Sequence, residues 1–291
     1  MRRSSLGECI SSWLTGKENI LIPLESYFDG SAQGDWRKEK LVTLAGYAAD
    51  DSMWMTFDQE WDAILKDDRR RAAAPYLHMR EATKYKDAFH YKNGWNSKRL
   101  SFLITDLLMY MQTIDKDRFR QFGCTIDLEA YRRLENQGFL FNDPIEICND
   151  YCPAVALFWY FTEYPGIVHS AHFFFDIEEP FKELFEKHWK RQKANFLDPA
   201  ANPDVWGLIK TVTTAEMRDK PAMQAADLLA WSSNRVHSVN AEVAFHDLEP
   251  LMKQIIPSTW IVFKEQQLRE RYEEIKKGEH FRATPGRYGV Y

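Results

Sequence analysis

Apolar residues along this chain alternate between the two-residue period of strands and the longer period of helices. Leu21–Phe28 reads as a strand, with Pro23 confining its start to an edge or entry position and Gly30 and Ser31 breaking it. Leu41–Ala49 is a second apolar run. Phe57, Trp61 and Leu65 share a helix face, with Thr56 as N-cap and Gln59 three positions on. Pro75–Met79 reads as a short strand leading to Arg80 and Glu81. Leu100, Leu103, Leu107 and Tyr110 mark a long amphipathic helix opened by Asn96 or Ser97. Phe122–Ile126 is a strand ending in Asp127. Pro153–Tyr164 is a buried helix, and Ile167–Phe175 a strand ending in Asp176. Pro180 opens a helix to Gln192, Val205–Thr214 supplies one more strand, and Pro221 opens the helix that carries Asp227. Glu265–Lys277 is a charged helix closed by Gly278. Strands alternating with helices after an initial run of strands suggest an α/β layer fold.

The chain has 291 residues, 45% hydrophobic, enough for one large core. Residues 1–20 read as a lead-in segment, 21–236 as the main domain, and 237–291 as a helical C-terminal extension and tail. No apolar run reaches the length of a membrane helix. Gly7, Glu8, Ser11 and Ser12 interrupt any signal core, so the expected setting is cytoplasmic, with no membrane partner. Cys9, Cys124, Cys148 and Cys152 lack the partners of a zinc set and read as reduced, buried or bystander thiols. The net charge of −5 supplies no global field for nucleic acid. Phosphate-binding loops, nucleotide-binding glycine fingerprints, the serine-hydrolase elbow and the His-Glu-x-x-His zinc motif are all absent. Nothing in the sequence sets the oligomeric state.

Candidate chemistry lies in three aspartates set in apolar company: Asp29, Asp176 and Asp227. Burying a carboxylate is costly without a partner, and a divalent cation is one partner several carboxylates can share. If the three converge, Mg²⁺ or Mn²⁺ is the expected cofactor and a phosphodiester in nucleic acid the expected substrate, DNA and RNA being undistinguished. Each residue has a plainer reading. Asp29 is also a turn former before Gly30, Asp176 a helix N-terminal acid, and Asp227 a solvated acid on an amphipathic helix. Asp127 is an alternative to Asp176 at the end of the middle strand. Glu81 is a fourth catalytic carboxylate, a base or a surface acid, and Glu129 a solvated acid. His78 and His172 are packed core residues or acid–base groups. Lys187–Lys193 is a basic stretch with one aromatic, Trp189, which suits either a solvated helix face or phosphate binding with base stacking.

Several of these segments form a recognisable pattern. Tyr27-Phe28-Asp29-Gly30-Ser31 resembles the first catalytic strand of ribonuclease H-like proteins. With Leu44–Ala48, the aromatic positions Trp54, Phe57 and Trp61, the segment Leu77-His78-Met79, and the Gln-x-x-Asp-Leu-Leu-Ala motif at Gln224–Ala230, residues 21–236 resemble the bacterial family called domain of unknown function 3800. Gly30 departs from the pattern, because that family usually has an acidic residue after the aspartate. The resemblance implies an α/β fold with a ribonuclease H-like mixed central sheet flanked by helices and, by analogy, metal-dependent nucleic-acid hydrolysis through Asp29, Asp176 and Asp227. The alternative it leaves open is a non-catalytic binding or accessory protein of the same fold in a bacterial defence or mobile-element setting.

Overall fold

A computed structural model describes residues 22–31, 36–69, 72–139, 143–163, 168–177, 180–195, 205–238, 245–257 and 259–277. Strand β1 (Ile22–Gly30) alternates strictly. Leu24 and Phe28 point to one face and Tyr27 and Asp29 to the other, because successive strand side chains face opposite ways. Strands β2 (Leu41–Asp50) and β3 (Phe119–Asp127) follow as an antiparallel meander, and β4 (Val168–Asp176) pairs parallel to the other edge of β1. Strand β5 (Ile209–Ala215) adds parallel to β4, and the short β6 (Ile261–Phe263) parallel to β3. The order is β5-β4-β1-β2-β3-β6, a mixed six-stranded sheet.

Two cores cover the two faces. On one, Phe28, Phe122, Phe173 and Phe175 pack against α5 (Pro144–Glu163) and α6 (Phe181–Asn195). On the other, Tyr27, Tyr47 and Phe119 pack beneath α1 (Asp51–Lys66), α3 (Ser97–Thr113) and α7 (Pro221–His237). A short α2 (Met79–Thr83) precedes α3, α4 (Leu128–Asn136) follows β3, and α8 (Glu249–Ile255) and α9 (Glu265–Lys276) flank β6. Since β6 completes the sheet beside β3, the segment after residue 236 contributes to the same layer rather than only appending helices. Buried Arg271 of α9 pairs with Asp150 of α5 at 3.2 Å and ties that segment down.

Several expected boundaries move, each for a physical reason. Helix α1 begins six residues before Phe57, because Asp50 caps it by accepting the Met53 N–H at 3.0 Å, while Thr56 bonds back to Ser52 within the helix. Helix α5 starts at Pro144 and runs through Pro153; the burial of Ile147, Cys148, Tyr151 and Val155 outweighs the lost backbone bond. Strand β1 extends through Gly30, which pairs with Leu44. A side chain at Gly30 would collide with the Phe181 ring on the face away from Asp29. An acid at this position would therefore lie on the wrong side of the sheet to join Asp29. The expected strand at Pro75–Met79 is absent. The lead-in segment 1–20, the closing Gly278 and the tail 280–291 lie outside the described residues.

Candidate functional site

The register of β1 against β4 sets Phe28 beside Phe175, so Asp29 and Asp176 follow side by side at the carboxyl ends of two parallel strands. Both share the face of Tyr27 and Phe174, whose rings stack at 4.7 Å. Both are buried, at 3% and 7% exposure. Asp29 Oδ1 accepts the Gly30 N–H at 2.8 Å and Asp176 Oδ1 the Ile177 N–H at 2.9 Å. The local turn bond anticipated for Asp29 is thus present, on a carboxylate that is out of solvent. Carboxyl ends of parallel strands are where open α/β sheets collect ligands.

Helix α7 lies across β1 and β2 on this face and is fastened at both ends. Near its C-terminus, Thr43 donates to Asn234 at 2.5 Å and Ser233 meets Thr125 at 3.1 Å. At its start, Gln224 makes three hydrogen bonds. Its Oε1 accepts the Trp61 indole N–H and the Leu77 backbone N–H, and its Nε2 donates to the Met217 carbonyl, all at 2.9 Å. One turn on, Asp227 Oδ2 accepts the Met79 N–H at 2.6 Å. The Gln-x-x-Asp spacing therefore grips alternate amides of residues 77–79. This explains the missing strand: those amides bond helix side chains instead of a neighbouring strand. It also corrects the plainer reading of Asp227, which faces the protein and is partly buried rather than solvated.

Between the two gripped amides sits His78, the residue preceding α2. Its Nδ1 lies 3.2 Å from Glu81 Oε1. Glu81 is buried and not the surface acid of the plainer reading. Tyr76 donates to it at 2.5 Å and Arg218 at 3.0 Å, while the Arg218 guanidinium lies over the Tyr76 ring. Burial opposes Glu81 ionisation, but the hydrogen bonds from Tyr76, Arg218 and His78 outweigh it and hold the carboxyl below its ordinary range. Asp227 is the opposite case. Burial, with the charges of Asp176 and Glu81 adding to it, pushes its carboxyl up to about 6, against the opposing effects of His78 and the Met79 N–H. Asp176, Asp227, Glu81 and His78 therefore form one electrostatic unit.

The sign of the Asp227 shift has a consequence for stability. Between the ordinary value of 3.8 and about 6, the folded chain holds a proton here that the unfolded chain has released. This group then costs stability as pH rises through that window, and the full cost applies above it. Asp227→Asn keeps the acceptor for Met79 and removes the charge. Urea unfolding is expected to show equal stability near pH 4 and a variant about 1–3 kcal/mol more stable at about pH 8. A variant less stable than wild type at the higher pH would contradict this assignment.

Other candidates fall elsewhere. Asp127 is the N-cap of α4, accepting the Glu129 and Ala130 N–H groups at 3.0 Å each, and with β2 between its strand and β1 it does not stand beside Asp29 as Asp176 does. Glu129 is exposed. His172 bonds Thr211 at 2.8 Å and Ser170 at 3.3 Å. It lies four residues before Asp176, about 13 Å along the strand. In the Lys187–Lys193 stretch, Trp189 packs on the core, so it is no stacking platform, and Lys190 pairs with Glu186 at 2.7 Å. The side chains of His188, Arg191, Gln192 and Lys193 lie outside the described residues. Cys124, Cys148 and Cys152 are buried thiols, and burial pushes Cys148 and Cys152 well above the ordinary range; Cys9 lies outside the described residues. Tyr76 and Arg218 were not foreseen, since neither belongs to a motif.

Asp29, Asp176 and Asp227 offer hard oxygen donors, the type that suits Mg²⁺ or Mn²⁺. Among the described residues no group of three or more His, Cys, Asp or Glu side chains stands ready to hold a metal ion. The fit thus rests on donor chemistry and accumulated negative charge, not on a formed cage. Glu81, engaged by Tyr76, Arg218 and His78, fits a positioning role better than ligation. No helix among the described residues is long and apolar enough to cross a membrane. No protein-family model matches the chain, and no curated protein is significantly similar to it.

Proposed function

We propose that this protein is a metal-dependent phosphodiester hydrolase of the ribonuclease H-like type, related to the domain of unknown function 3800 family and acting on nucleic acid. One observation carries the reading. Asp29 and Asp176, buried at the ends of adjacent parallel strands, share a sheet face with Asp227 of α7, whose carboxyl is pushed up to about 6 by burial and by neighbouring negative charge. Such a site gains by taking up a cation. The meander β1–β2–β3, with β4 and β5 added parallel to β1, is compatible with the same resemblance.

Asp29, Asp176 and Asp227 would hold Mg²⁺ or Mn²⁺. When bound, such an ion supplies an acidified water and neutralises charge on a phosphate. The other residues position and move protons. Glu81, ionised and fixed by Tyr76 and Arg218, orients the His78 ring through its Nδ1. Gln224 and Asp227 fix the backbone on either side of that histidine.

The test is an assay of purified protein on end-labelled single- and double-stranded DNA and RNA, with millimolar Mn²⁺ or with EDTA. Cutting in Mn²⁺ that EDTA abolishes is expected. No cutting of any substrate would return the chain to the non-catalytic binding reading.

A further inference from the structure

We infer that residues 80–99 form a binding surface for single-stranded nucleic acid, joined to the carboxylate site through α2. The inference extends the proposed function but stands on charge and ring geometry, independently of any metal. This stretch carries six Lys and Arg residues against Glu81 and Asp87, in a chain whose net charge is −5. Glu81 is buried and engaged, so its charge does not offset the surface. Lys84, Lys86, Lys92 and Lys98 are all exposed.

Aromatic rings sit among these cations. Tyr85 and Tyr91 stack at 4.4 Å with their planes 19° apart, and Tyr91 is 60% exposed. An exposed, pre-stacked ring among lysines is what an unpaired base and its phosphates require, because any base has a π-face and any phosphate a charge. A polyanion without bases would make no use of the ring.

The segment is held in shape. Phe89 and Trp95 are buried and pack together at 5.0 Å, anchoring the loop from beneath. Asn93 donates to the Asp87 and Ala88 carbonyls at 3.0 and 3.2 Å, and His90 Nδ1 accepts the Lys92 N–H at 3.1 Å. Tyr85 and Asp87 adopt left-handed backbone with φ of 51° and 49°, a conformation a tyrosine rarely takes and one that persists only where surroundings impose it. The Lys86 N–H donates to the Glu81 carbonyl at 2.9 Å, so the platform begins one helical turn from the residue that positions His78.

The experiment is fluorescence anisotropy with a labelled oligothymidylate, in EDTA and over a salt series. The variants are Lys84→Glu/Lys86→Glu/Lys92→Glu, the matching triple Lys→Arg, and Tyr91→Ala, each checked by its melting curve. The charge-reversed variant is expected to bind at least tenfold more weakly, with a salt slope lower by about 2, and the arginine variant to bind like wild type. Tyr91→Ala is expected to lose about fivefold or more without changing the slope. Wild-type protein that fails to bind, or a charge-reversed variant that binds as well as wild type, overturns the surface. Unchanged binding by Tyr91→Ala overturns base stacking. Loss of binding in the charge-reversed variant, with no Mn²⁺-dependent cutting by any form, keeps the surface and removes the nuclease reading. Mn²⁺-dependent cutting by wild type, with a charge-reversed variant that still binds like wild type, does the reverse.

Discussion

Asp29→Asn and Asp227→Asn are each expected to lower Mn²⁺-dependent cutting by about 10²–10³-fold while the domain stays folded. Each substitution keeps the size of the side chain and an oxygen acceptor, but removes one of the negative charges that would hold the ion. Losing several kcal/mol of charge stabilisation corresponds to a rate loss of that size. Asp29→Asn retains an oxygen for the Gly30 N–H, and Asp227→Asn one for the Met79 N–H, so the folded frame persists. Initial rates on the best substrate, with melting curves as a folding control, check this. Rates within about twofold of wild type for both variants would place the chemistry elsewhere.

Gln224→Ala is expected to be the most damaging single truncation near the site, costing about 3–5 kcal/mol. The amide joins α1, the 77–79 segment and the turn before α7 through three buried hydrogen bonds. Truncation leaves the Trp61 indole N–H, the Leu77 N–H and the Met217 carbonyl unsatisfied, each at about 1–3 kcal/mol. Urea unfolding gives the size of the loss. Faster amide exchange at Leu77 and Met79 than elsewhere in the core would show that the segment carrying His78 has been released. A loss below about 1 kcal/mol would mean that water replaces the amide and that Gln224 is not the joint of this site.

The apolar strand runs were enough to place Asp29 and Asp176 at the ends of strands. That they lie beside one another needed the β1–β4 register, which pairs residues far apart in the chain. The motif at Gln224 singled out Asp227 but not its partner. The amides it grips lie 147 and 148 positions away, and a segment held by side chains carries no strand pattern of its own. Residues 75–79 were therefore misread as a strand. Asp127 looked equivalent to Asp176 because a strand-ending aspartate and an N-cap aspartate look alike until the following amides are placed. Strand β6, three residues long, is too short for any period to register. The basic surface escaped notice because the densest run of cations lies at Lys187–Lys193, where Trp189 turns inward and Glu186 pairs with two lysines. At residues 80–99 the cations are spread over turns, and only folding stacks Tyr85 on Tyr91 among them.

The central claim is that the carboxylates at the ends of β1 and β4 and on α7 form a cation site. Titration of Mn²⁺ into the protein above pH 7, following the spectrum of the free ion by electron paramagnetic resonance, tests it without reference to any substrate. Wild-type protein is expected to take up Mn²⁺ saturably at low millimolar concentration or below, more weakly as pH falls below about 6 and Asp227 gains a proton. The Asp29→Asn/Asp227→Asn protein, folded by its melting curve, is expected to take up none at that site. Equal uptake by the two proteins, or no uptake by wild type, would contradict the account.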